Sequence, residues 1–83
     1  MNFRFFSRTR PNGDPVALFV LAVDDENEEM YEVVLKNGKL VDTSELMKNI
    51  IDGFQDMKEI SQEEAMKTYA DSGIKEAFNK RFG

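Results

Sequence analysis

The stretch Asp24-Asp25-Glu26-Asn27-Glu28-Glu29 places five carboxylates in six residues, an oxygen-rich loop of the kind that takes a hard cation such as Ca²⁺. A calcium loop of the EF-hand pattern needs glycine at its sixth position and glutamate at its twelfth. Those positions hold Glu29 and Leu35, so the stretch reads as a solvated hairpin loop, and no metal is expected. Ser72-Gly73-Ile74-Lys75 fits S-x-x-K, the nucleophile motif of serine β-lactamases and penicillin-binding proteins. Neither S-D-N nor K-T-G follows it, and a helix-cap reading accounts for the serine and glycine.

The acids at helical spacing, Asp52 with Asp56 and Glu59 with Glu63, read as the wet sides of helices. The five glycines stand apart, so there is no phosphate-cradling loop. The chain has no histidine and no cysteine, which removes imidazole acid–base catalysis, thiolate nucleophiles, disulfides and the usual zinc ligands. Met47, Met57 and Met66 with Phe54 and Tyr69 read as core packing at helical spacing rather than as a cofactor lining. The expectation is a protein that is not an enzyme and takes no cofactor.

One basic group remains. The first ten residues, MNFRFFSRTR, carry Phe3, Phe5, Phe6, Arg4, Arg8 and Arg10 and no acid, although the formal net charge of the chain is -5. Arginine beside exposed aromatics on a sheet is how single-strand nucleic-acid readers contact phosphate and stack bases. The acidic body of the chain opposes a polyanion, and the third strand lacks the RNP1 pattern. Nucleic-acid binding through Arg4, Phe6 and Arg8 is therefore the alternative reading, with a protein partner favoured.

The elements that position these residues follow from period and turn chemistry. Phe3 to Thr9 and Val16 to Val23 flank Pro11-Asn12-Gly13-Asp14-Pro15, and Asn-Gly is the strongest short hairpin signal. A turn centred on Asn12-Gly13 makes paired positions sum to 25. The acidic loop closes a second hairpin onto Met30 to Lys36, with pairs summing to 53, and Asn37-Gly38 returns the chain to Lys39 to Val41. The expected fold is α+β: a four-stranded antiparallel meander, order 1-2-3-4, over residues 1–41, and a helical layer over 42–83, forming one domain.

Two C-terminal helices are expected on one sheet face. The first carries Leu46, Met47, Ile50, Ile51 and Phe54 from a cap at Asp42 to Ser44 and ends near Gly53. The second opens on the capping box Ser61-Gln62-Glu63-Glu64 and breaks or kinks at Gly73.

Alternation assigns Phe3, Phe5, Ser7, Leu18, Val20, Ala22, Tyr31, Val33, Leu35 and Leu40 to the core face. The opposite face gathers the row Phe6, Phe19, Val34 and Val41, bordered by Arg4, Leu21 and Glu32 on one side and by Arg8, Ala17 and Lys36 on the other. An apolar centre with a charged rim has interface anatomy. The expectation is a non-enzymatic interaction module whose partner is itself, as a homodimer, or another protein. Contact is made through Arg4, Phe6, Arg8, Phe19, Leu21, Glu32, Val34 and Val41, or through the first strand's free edge. No membrane association is expected. Val16 to Val23 is too short to span a bilayer, and its flanks do not fit a secretory leader. A cytoplasmic setting is compatible with the lack of cysteine.

Overall fold

A computed structural model describes residues 1–46, 48 and 57–83. The alternating segments pair into one antiparallel sheet: β1 (Asn2–Thr9), β2 (Pro15–Asp24), β3 (Glu29–Lys36), β4 (Lys39–Asp42) and β5 (Met57–Ile60). Its order is β4-β3-β2-β1-β5. The first four strands follow the expected meander, and the fifth extends it. β5 pairs antiparallel with Phe5 to Arg8, so the β1 edge, expected to be free for a partner, is occupied along those residues by the chain itself.

The pairing sums hold, with Phe6 opposite Phe19, Phe19 opposite Val34 and Val34 opposite Val41. The first turn reaches that register by a different route from the two-residue loop expected. Gly13 N–H donates to the Arg10 carbonyl at 2.8 Å, and Arg10 N–H donates to the Asp14 carbonyl at 2.8 Å. That is a three-residue loop with Pro11 at its first position and Gly13 at φ 92°, a common alternative to the two-residue turn. Alone it would displace the pairing by one residue, and a bulge between Arg8 and Thr9 restores it. The second Asn-Gly behaves as expected: Asn37 and Gly38 both have positive φ, 51° and 75°, as a type I′ turn requires.

Ser61 caps α1 (Gln62–Thr68), its hydroxyl accepting from Glu64 N–H at 3.1 Å. A single 3₁₀ turn, Ala70–Ser72, follows and stops at Gly73, whose φ of 77° is left-handed. α2 (Ile74–Phe82) begins after it, with Gly73 as its N-cap. The break at Gly73 is therefore a stop, which resolves the two possibilities left by the sequence. Both helices pack on the expected core face: Phe5, Leu18, Val20 and Val33 meet Ala65, Tyr69, Ile74 and Ala77 in one buried cluster. Phe3, Phe78 and Phe82 cluster at its margin, Phe3 edge-on to Phe78 and the other pairs tilted, with centroids 4.8 to 5.4 Å apart.

A short polar network is sealed inside this layer. Tyr69 Oη donates to the Ala17 carbonyl at 2.9 Å and lies 2.7 Å from Ser7 Oγ. Its single proton being committed to Ala17, Ser7 must donate to Tyr69. Burial pushes the Tyr69 hydroxyl above its ordinary pKa, and the Ser7 hydrogen bond draws it partly back. Tyr69→Phe would leave the Ala17 carbonyl and Ser7 without this partner, so a loss of about 1–3 kcal/mol is expected in urea unfolding. Because the folded pKa is raised, the wild type should also lose stability as pH rises past 10, where the unfolded chain ionises first. That extra alkaline loss should be absent in Tyr69→Phe.

Candidate interaction surface

The outer sheet face was expected to be exposed, and its centre is not. Phe6, Phe19, Leu21 and Val34 are buried, Phe19 to 1% exposure, in a second cluster that includes Leu46 at 0%. Two cores thus lie on opposite faces of one sheet. Of the apolar row, Val41 alone stays open, at 36%.

The helical residues Glu45, Leu46 and Lys48 follow β4, and Thr43 caps them, its hydroxyl accepting from Glu45 N–H at 3.1 Å. The expected cap region is right. The expected face is wrong for Leu46, which packs opposite α1 and α2. The physical reason is topological: β4 and β5 lie at opposite edges of the sheet, and an apolar row between them is costly to leave in water. The other residues expected on that helical stripe, Met47, Ile50, Ile51 and Phe54, lie outside the described residues.

The charged rim is as expected in position and different in its pairing. Arg4 makes a forked contact with Glu59 of β5, Nε to Oε2 at 2.9 Å and Nη2 to Oε1 at 2.7 Å, and its guanidinium sits 5.3 Å from the Phe6 ring centre. The hydrogen bond and charge of Arg4 hold Glu59 below the usual carboxylate range. A depressed pKa adds stability above the unfolded value that is lost as pH falls through the folded one. Both side chains are about half exposed, so the effect is small. Glu59→Gln should lower the melting temperature slightly at neutral pH, and the difference should vanish under acid.

These positions bear on the nucleic-acid reading. Phe6 is 6% exposed and offers no free ring face for a base, while Arg4 is engaged by Glu59. Arg8 and Glu32 each have an interaction within the molecule.

The acidic loop is organised by its own hydrogen bonds. Asn27 Nδ2 donates to Asp24 Oδ2 at 2.8 Å, and this bond lowers the Asp24 pKa. Among the described residues no cluster of three or more potential ligands is placed to hold a metal. No helix among them is long and apolar enough to cross a membrane.

The surface that the sequence did not single out is the β4 edge. Thr43 N–H donates to the Glu32 carbonyl at 3.0 Å, so by the alternation of antiparallel ladders the even residues Leu40 and Asp42 turn their backbone groups away from β3. Arg81 of α2 reaches that side, with Nη1 3.5 Å from the Leu40 carbonyl and Nη2 2.5 Å from Asp42 Oδ1. Among the described residues no strand pairs there. A groove of about 230 Å³ runs between this edge and α2, lined by Gly38, Lys39, Leu40, Ala77, Lys80 and Arg81. The other edge of the sheet is β5, which carries Lys58 and the Arg4-bound Glu59. Comparison with protein-family models, curated proteins and solved structures finds no match for this chain.

Proposed function

We propose that this protein is a cytoplasmic, non-enzymatic protein–protein interaction module that makes its contact at the β4 edge. The observation that supports this reading is the outward turn of the Leu40 and Asp42 backbone groups beside the half-open Val41. Unpaired donors and acceptors in a strand are a template for another strand. Self-association is the simplest case: β4 lies antiparallel to β4 of a second copy about a two-fold axis, Val41 facing its equivalent.

Amide exchange tests the reading. In dilute protein, Leu40 and Asp42 should exchange faster than Val41 and Thr43, whose N–H groups bond to β3. They should become protected as a partner, or a second copy at high concentration, engages the edge. Strong protection of Leu40 and Asp42 in the dilute monomer would mean that the edge is closed within the molecule and would sink the proposal. Sedimentation that stays monomeric at high concentration would remove self-pairing alone.

A further inference from the structure

We infer that the groove between β4 and α2 receives an extended protein segment in which acidic residues alternate with β-branched apolar ones. This rests on the proposed edge contact and names the partner's chemistry. A strand added to β4 would exchange main-chain hydrogen bonds with Leu40 and Asp42, and its side chains would alternate between the two faces of the sheet.

On the inner side they meet α2, where Lys80 is exposed and Arg81 lies against the strand. On the outer side they meet Val41, which shares its row with the buried Val34 and is itself still 36% exposed. Acid toward the helix and valine or isoleucine toward Val41 satisfy both sides, whereas a basic or wholly apolar strand satisfies only one.

Arg81 supplies a built-in competitor. It now holds Asp42 at 2.5 Å and touches the Leu40 carbonyl at 3.5 Å, a bond long enough to be weak. A carboxylate on the incoming strand would replace Asp42 as the partner of Arg81 and release the Leu40 carbonyl for the ladder. Charge in the partner thereby uncovers the edge that the partner's backbone then uses.

The test is titration of the ¹⁵N-labelled full chain with a capped hexapeptide alternating glutamate and valine. Shifts are expected at Gly38 to Asp42 and Ala77 to Arg81, with new protection of the Leu40 and Asp42 amides. N-methylation of alternate peptide amides should weaken binding about tenfold by removing main-chain donors. Lys80→Glu, an exposed change outside the core, should weaken it, and Asp42→Asn, which frees Arg81, should strengthen it.

Equal binding of the N-methylated peptide, or shifts confined to another surface, would overturn the inference. If a peptide alternating lysine and valine perturbs the same amides as tightly, the acidic class falls while the edge contact stands. If neither peptide nor a second copy of the chain affects Leu40 and Asp42, the inference and the reading it rests on fall together.

Discussion

Phe19→Ala is expected to cost about 3–5 kcal/mol of stability, the range for truncating a buried aromatic. Phe19 is 1% exposed at the centre of the outer cluster, opposite Phe6 on one side and Val34 on the other. A domain of this kind has only about 5–15 kcal/mol in total, so the variant should sit near the limit of folding. In urea its midpoint should fall by roughly 2–3 M, taking a slope of about 1.5 kcal/mol/M. Were Phe19 instead an exposed interface residue, its truncation would leave the isolated chain within about 0.5 kcal/mol of wild type. The experiment therefore separates an interface from a core by size of effect alone. It also means that a charged residue at position 19 is a poor probe of self-association, because loss of a dimer could not be told from loss of the fold.

Leu46→Ala is the second large effect, with an expected loss of about 2–5 kcal/mol. Leu46 is fully buried, although it belongs to the connection between β4 and β5 rather than to the sheet. A residue in a surface connection would show a change near zero, so the measurement asks directly whether this one closes the second core. Combined with Phe19→Ala, the two losses should not add, since contacting residues couple by about 0.5–3 kcal/mol. Val41→Ala, at the edge of the same row, is the control and should be much milder. If Leu46→Ala is also mild and additive, Leu46 does not cover the outer face.

The two predictions fall where the sequence was hardest to read. Alternation assigned Phe6, Phe19 and Val34 to the correct side of the sheet, but a period of two says which face a residue occupies and nothing about what covers that face. Phe6 was the warning: an aromatic in an outward position is better explained by a second layer than by exposure. Met57-Lys58-Glu59-Ile60 was missed as a strand for a different reason. It is four residues long with two good helix formers inside it, and its alternation is visible only in retrospect, Met57 packing with the outer cluster and Ile60 with the inner one. The expected order 1-2-3-4 already made β4 an edge strand; what it could not reveal was that β5 lies along β1 and that Arg81 reaches the β4 edge.

Local chemistry settled a great deal before any tertiary contact was considered. The Asn-Gly turns, the alternation of MNFRFFSRTR and its neighbours, the Ser61 cap and Gly73 pointed to four strands, their pairing and a helical stretch from Ser61 interrupted at Gly73. Those features depend on backbone sterics and nearest neighbours, which a linear chain carries explicitly. Only the tertiary structure decided that β5 closes the β1 edge, that Leu46 seals the outer face, and that Arg4 pairs with Glu59 and Arg81 with Asp42. Each of these joins residues distant along the chain, and the burial of apolar surface that selects among such pairings is non-directional and leaves no mark in spacing.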